Sequence, residues 1–308
     1  MRKLLYEISH DTTYDYVGSV AISHHLVRLA PRRLAHQHVL AHELSVEPLP
    51  AVMSEHTDYF GNRTQFLTVE GAHARLVIRS KAGVAVGPVF VPDPTETAPW
   101  ESVRLRCQAD HAGPGLEAHE FTYGSPLAPV QGDFAEYAAV SFTHHRPLLD
   151  GVLDLTRRIN TEFAFDAMAT NVATPVSDFF RNRRGVCQDF AQFEIACLRS
   201  LGLPARYVSG YLETDPPPGQ PKLRGVDASH AWIAFYCPGI GWIDVDPTNN
   251  CIPSMRHITV GWGRDYGDIS PLKGVIMGGQ GQVLSVSVDV VAKGAWESEG
   301  DELLGEGA

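Results

Sequence analysis

Over residues 6–16 the chain alternates with a period of two. Tyr6, Ile8, His10, Thr12, Tyr14 and Tyr16 interleave with Glu7, Ser9, Asp11, Thr13 and Asp15. That spacing sends one set to a buried face and the other to water, which fits a half-buried strand and no helix. Further strands are predicted over 36–46 and 73–86. Gly61-Asn62, between Asp58-Tyr59-Phe60 and Thr64-Gln65-Phe66-Leu67, reads as a hairpin turn. Short strands separated by turn residues predict an antiparallel β-sandwich over residues 1–90.

The pattern then changes. Pro88, Pro92, Pro94 and Pro99 fall within 87–100, a density that suits an exposed connection and neither a helix nor a central strand. The boundary between two units is placed there, with residues 91–145 read as linker and short connecting elements. From 148 to 163, Leu149, Val152, Leu153, Thr156 and Ile159 form a helical stripe. A sharper stripe follows Cys187 through Phe190, Ala191, Ile195, Leu198 and Leu201, and Gly202 and Pro204 end it. Strand-like runs follow at 205–212, 231–236, 241–245 and 283–291. Helices first and strands afterwards predict an α+β unit over 146–296. Residues 297–308 form an acidic, glycine-containing tail.

Composition removes several functions. The 308 residues carry 25 Lys+Arg against 36 Asp+Glu, a formal net charge of -11. That balance disfavours capture of nucleic acid or anionic lipid, which needs clustered cations. No run of about 18 apolar residues is present to cross a membrane, and no secretory leader is evident after Met1, so the chain reads as cytoplasmic. The five cysteines, Cys107, Cys187, Cys197, Cys237 and Cys251, are odd in number and contain no CxxC pair. Neither a disulfide framework nor a zinc knuckle is expected.

One cysteine differs from the rest. In Arg184-Gly185-Val186-Cys187-Gln188-Asp189-Phe190 it stands where a glycine turn meets a helix start. There the free backbone N–H groups and the positive end of the dipole stabilise a thiolate. Cys197, between Ala196 and Leu198 in mid-helix, reads as a small buried hydrophobe. A thiolate nucleophile needs a base and the base an orienting acceptor. Asp227-Ala228-Ser229-His230-Ala231-Trp232 enters an apolar strand, and Asp244-Val245-Asp246-Pro247-Thr248-Asn249 ends another. Two adjacent antiparallel strands could set His230 beside Cys187 and Asp246 behind the imidazole. Asp244, on the same strand face as Asp246, is a weaker candidate for that role.

The run Arg184-Gly185-Val186-Cys187-Gln188-Asp189-Phe190-Ala191, then Leu201-Gly202-Leu203-Pro204-Ala205-Arg206-Tyr207-Val208-Ser209-Gly210-Tyr211, closely resembles the bacterial transglutaminase-like family. Ser229-His230-Ala231-Trp232 and Asp246-Pro247-Thr248-Asn249 match its other core motifs. Gly263-Arg264-Asp265-Tyr266-Gly267-Asp268-Ile269-Ser270-Pro271 looks like the segment that closes the core, and residues 6–31 are similar to the β domain that precedes it. The resemblance implies a papain-like α+β core, with Cys187 as nucleophile, His230 as general base and acid, and Asp246 orienting the imidazole. It implies attack on an amide carbonyl of a protein or peptide and a thioester acyl-enzyme, without a cofactor. The Cys187 backbone N–H is a candidate oxyanion donor, and Gln188, Asp189 and Trp232 are candidate supporting residues.

The remaining histidines give blander expectations. His36, His38 and His42 share one face of a predicted strand, which reads as a packed or solvated face more readily than as a metal site. The adjacent pairs His24-His25 and His144-His145 would point to opposite strand faces and share no ligand set. No dense acidic calcium loop is present. Trp232 and Trp242 could line the acyl pocket or pack in the core. The favoured function is a cysteine peptidase or amidase. A protein-crosslinking transglutaminase and a non-catalytic binding protein are the alternatives, and assembly state does not follow from the sequence.

Overall fold

The computed structural model describes residues 2–110, 113–214 and 229–296. It begins with strands β1 (Lys3–Val27), β2 (Gln37–Glu47), β3 (Val52–Thr57) and β4 (Arg63–Val86). Helices α1 (Trp100–Ala109), α2 (Gly113–Glu120), α3 (Gly132–Ala139) and α4 (Leu148–Glu162) follow. A short parallel pair, β5 (Ala164–Phe165) and β6 (Arg184–Gly185), flanks α5 (Val176–Asn182) and leads into α6 (Cys187–Ser200). The chain continues through β7 (Ala205–Leu212), β8 (Ser229–Cys237), β9 (Gly241–Val245), β10 (His257–Gly263), α7 (Tyr266–Ile269), β11 (Leu272–Gly278) and β12 (Gln282–Trp296). Asp227, Ala228 and the tail 297–308 lie outside the described residues.

The expected sandwich is realised as one six-stranded antiparallel sheet doubled on itself. β1 pairs with β4 on one side and with β12 and then β11 on the other. Its pairing with β4 breaks between Asp15 and Val20. On one side of that break the neighbours are β12 and β2, and on the other they are β11 and β3. The two halves bury a common cluster, in which Leu76, Ile78 and Leu44 meet Val20, Val27, Leu67, Val69 and Ile276. Residues 272–296, placed with the C-terminal unit from sequence, therefore belong to the first sheet. Pairing partner decides membership of a sheet, and alternation within a strand carries no information about the partner.

The second sheet has the order β10-β7-β8-β9 and is antiparallel throughout. Its Ala205, Tyr207, Ala231, Ile233, Phe235, Ile243 and Val245 pack against Phe190, Ala191, Ile195 and Leu198 of α6 in the largest core cluster. Segment 91–145, expected to be connecting elements, contributes three helices to this core. α1 fully buries only Val103 and Cys107 and α3 only Phe134 and Ala138, with Trp100 and Tyr137 half-buried beside them, so each leaves a stripe too short to read from periodicity. α4 buries Leu149, Val152, Thr156 and Ile159 of the expected stripe, with Leu155 fully buried and Leu153 only half-buried.

The two sheets meet along β10, the edge strand of the second. An unpaired edge exposes a row of backbone groups that needs partners once buried. Two buried amides of the first sheet provide them. Gln37 donates from Nε2 to the Thr259 carbonyl at 2.7 Å and accepts from the Thr259 N–H at 2.8 Å. Asn62 does the same at Trp262, donating to its carbonyl at 2.8 Å and accepting from its N–H at 3.0 Å. Tyr6, Val84, Val86, Val288 and Val290 pack against Tyr211, Ile258 and Val260 beside them. Replacing Gln37 by Ala leaves the Thr259 N–H and the Arg32 carbonyl without their partner, while the Thr259 carbonyl keeps the Arg32 N–H at 3.0 Å, and is expected to cost about 3 kcal/mol by chemical denaturation. A loss under about 0.5 kcal/mol would show that this edge does not depend on the amide.

Candidate active site

Cys187 is the first residue of α6 and is half-buried. The turn before it is fixed by Asp189, at the third helical position, whose Oδ2 accepts from the Val186 N–H at 2.8 Å and from the Thr170 hydroxyl at 2.6 Å. That is the carboxylate half of a capping box. It pins the helix start and ties it to the loop before α5. Burial raises the Asp189 pKa, and the bonds from Thr170 and Val186 oppose the rise. Gly185 makes room for this arrangement, since a Cβ there would lie 2.5 Å from Asp189 Oδ2 and 2.7 Å from Phe179. Gln188 donates from Nε2 to the Val172 carbonyl at 3.3 Å.

His230 is the second residue of β8, paired with Gly210 of β7. A side chain at Gly210 would strike the Ile258 carbonyl at 2.2 Å and the Trp232 ring at 2.5 Å, so glycine there lets three strands close around the imidazole. His230 Nε2 donates to Asp246 Oδ2 at 2.7 Å, and the side chain also bonds Cys187. With Nε2 committed, Nδ1 is the nitrogen left for the thiol. Burial disfavours the imidazolium, but the bonds and charges of Asp246 and Cys187 outweigh it and raise the His230 pKa to about 10.

Asp246 follows β9 and has no exposed surface. Its Oδ1 accepts from the N–H groups of Thr248 at 2.9 Å and Asn249 at 3.1 Å. Its Oδ2 takes the His230 bond together with Asn249 Nδ2 at 2.7 Å and His257 Nε2 at 3.2 Å. Burial alone would raise this carboxyl. The histidine and amide donors reverse that and hold it well below the usual carboxylate range. The turn carrying these donors is anchored from α4, where Asn160 Nδ2 reaches the carbonyls of Pro247 at 3.2 Å and Thr248 at 2.8 Å.

The structure thus brings Cys187, His230 and Asp246 together from a helix start, a strand start and a strand end. It adds His257, Asn249, Asn160 and Thr170. His257 opens β10, 11 residues after Asp246, and the apolar run after it carries no chemical signal. Its Nδ1 accepts from the Ser254 N–H at 3.3 Å, which fixes the tautomer that donates from Nε2. Asp244 takes no part in orienting His230, because its Oδ2 accepts from Trp232 Nε1 at 3.0 Å. Trp232 is buried, with its ring stacked 6.0 Å from His230 and edge-on to His257 at 5.3 Å.

Two groups place three metal-type donors within 4.8 Å of one another among the described residues: His230, Asp246 and His257, and Glu101, His144 and His145. In the first, both Nε2 atoms are already engaged with Asp246 Oδ2. The second departs from the expectation for adjacent histidines. His145 has φ 61 in a turn, and the two rings lie 3.8 Å apart on one side. His38 bonds Lys3 and His42 bonds Ser80, so the His36, His38 and His42 face forms no common ligand set.

Comparison with known proteins agrees with this architecture. Residues 6–85 match the bacterial transglutaminase-like N-terminal region, and residues 137–247 match the transglutaminase-like superfamily. Uncharacterized protein Rv2569c of Mycobacterium tuberculosis is 40% identical over 296 residues, covering 93% of this chain and 92% of that protein. A protein-glutamine gamma-glutamyltransferase of Pseudomonas aeruginosa is 39% identical over 108 residues, which is 33% of this chain and 16% of that one. A solved structure of a candidate cysteine protease from Cytophaga hutchinsonii superposes with a TM-score of 0.75 at 22% identity, covering 96% of this chain and 93% of that one. The fold is α+β, a papain-like transglutaminase core joined to an antiparallel sheet, and the chain belongs to the transglutaminase-like superfamily.

Proposed function

We propose that this protein is a cysteine-dependent amide hydrolase of the peptidase or amidase type, working through a thioester acyl-enzyme. The observation that carries the reading is the chain of contacts from the Cys187 thiol through His230 to the buried Asp246. Members of this superfamily are typically cysteine-dependent enzymes, and the residues here supply each part of that chemistry.

With the thiol proton on His230, Cys187 Sγ attacks the amide carbonyl carbon and the carbonyl oxygen becomes an oxyanion. The N–H of Cys187, in the first turn of α6 where no intrahelical acceptor exists, is the donor placed to receive it. His230 then gives its proton to the nitrogen, the C–N bond breaks, and an amine leaves a thioester behind. Water attacks the thioester while His230 takes a proton from it, and the acid departs with Cys187 restored. Asp246 stays ionised throughout, holding the ring and stabilising its charged form. An amine in place of water would make the same intermediate a transamidation. The local likeness to a gamma-glutamyltransferase supports that second outcome, so the acceptor is what the decisive assay must read.

The deciding experiment incubates the protein with a glutamine-containing peptide amide and a labelled primary amine. Free acid as the main product supports hydrolysis, and dominant incorporation of the label replaces it with crosslinking. Absence of both, with Cys187→Ala indistinguishable from the native chain, would leave a binding protein.

Reactivity should separate Cys187 from the other thiols. Burial pushes Cys107 and Cys251 up to about 11 and raises Cys237 and Cys197. Site-resolved alkylation with iodoacetamide at neutral pH is expected to modify Cys187 first, and His230→Ala to remove that lead. Equal rates at all five cysteines would contradict the assigned pair.

The pH dependence has a defined sign. The protonated His230 serves as the acid, so kcat/KM falls as pH rises through about 10. Asp246 raises that pKa, and Asp246→Asn should therefore move the alkaline limb to lower pH, toward the ordinary imidazole value of 6.5. An unmoved limb in that variant would show that a different group sets it.

A further inference from the structure

A cavity of about 360 Å³ opens on the face of the second sheet opposite α6. Its wall includes Trp232 and His257, which also touch His230 and Asp246 from behind. Cys187 lies on the α6 side of the sheet and packs against that core, so the cavity is a separate compartment with a shared partition.

The chemistry of this compartment is specific. Arg206 enters it 8% exposed, its guanidinium 4.1 Å from the Trp242 ring centre and 3.7 Å from that of Trp262. Arg206 Nε is buried without a hydrogen-bond partner. A buried cation left in that state is costly, and the planar fork of a guanidinium matches a carboxylate in two parallel bonds. The second charged group is Asp244, one of whose oxygens is held by Trp232. Arg206 and Asp244 feel each other's charge, yet among the described residues neither a hydrogen bond nor an ion pair joins them. The other titratable residues of the wall are His36 and His257, and Arg32 stacks on Trp262 with its guanidinium 3.4 Å from the ring centre. Most of what remains is apolar, including Phe90, Ile240 and Ile252.

A cation and an anion set apart in an apolar pocket select a ligand with the complementary pair. We propose that this cavity binds a small zwitterion, an α-amino acid with an apolar side chain. Its carboxylate lies on Arg206, its ammonium faces Asp244, and its side chain rests among Phe90 and the indole of Trp242. The size is at the small end of ligand pockets, which suits one residue and excludes a folded partner. An occupant would press on Trp232 and His257, and through them on the two groups that orient the catalytic ring.

The test is calorimetric titration of the Cys187→Ala protein, so that binding is read without any contribution from turnover. The probes are L-phenylalanine, 3-phenylpropionate, which lacks the amine, and phenethylamine, which lacks the carboxylate. Phenylalanine is expected to bind, with each single-charge analogue at least about tenfold weaker, the loss of one charge-assisted contact. Arg206→Gln and Asp244→Asn should each weaken phenylalanine by a similar factor. Phe90, which is 84% exposed, can be replaced without disturbing the core, and Phe90→Ala should weaken binding several-fold with an unchanged melting temperature. Ile240→Trp, at the rim, should block it. If Arg206→Gln does not fold, these two variants decide. No heat with phenylalanine, equal affinity for an analogue lacking either charge, or full binding in both Phe90→Ala and Ile240→Trp overturns the proposal. None of those results bears on whether Cys187 is a nucleophile.

Discussion

A carboxylate with no access to water sits at the end of β9, and much of the site's construction answers to that fact. An unpaired charge in such a place costs several kcal/mol, and an ion pair repays it only when the remaining lone pairs are also satisfied. Asp246 meets the condition by drawing donors from three directions: its own turn, the start of β8 and the start of β10. The two histidines among them are not equivalent. His257 has its other nitrogen occupied by the Ser254 N–H, so it can only donate to Asp246. His230 has a second nitrogen available to Cys187, which makes it the one able to move a proton. Burial of a single charge thereby divides two similar side chains into one that only supports the carboxylate and one with a nitrogen left to face the thiol.

Precision in such a site comes from backbone placement, because a displacement of about 1 Å can cost a hundredfold in rate. Cys187 takes its position from the helix start, which Asp189 fixes through Val186. His230 takes its position from the register of β8 on β7, where Gly210 stands opposite it. Asp246 takes its position from a turn whose carbonyls are gripped by Asn160. Gly185 and Gly210 act by absence, since any Cβ at either would push apart groups that must touch.

What could be read from the sequence follows from how local each determinant is. β7 and β9 were legible to the residue, because their apolar runs are bounded by turn residues that need no partner to be recognised. α6 was legible from its stripe and the glycine that ends it. The Cys187, His230 and Asp246 set stood in three motifs that resemblance could join. His257 and Asn160 could not be read that way. Each is an ordinary polar residue whose meaning depends on a neighbour 11 or 87 positions distant. The same reasoning explains α1 and α3, whose buried faces are two residues wide. Long-range pairing also hid the place of β11 and β12, whose alternation fits any sheet.

That last feature ties the two halves of the molecule together. Because β11 and β12 return to pair with β1, residues 100–269 are an insertion between strands of one sheet, entered after β4 and left before β11. β10 lies at the exit of this insertion. Its Thr259 and Trp262 are clasped by Gln37 and Asn62 of the first sheet. Its first residue is His257, which reaches Asp246. The first sheet thus holds the strand from which one of the donors to the buried carboxylate is delivered, two residues from the first clasp and five from the second. An N-terminal region that only carried substrate would have no need to satisfy the backbone of that strand with buried amides. Here those amides set where β10 lies and, through His257, where the charge behind the imidazole can rest.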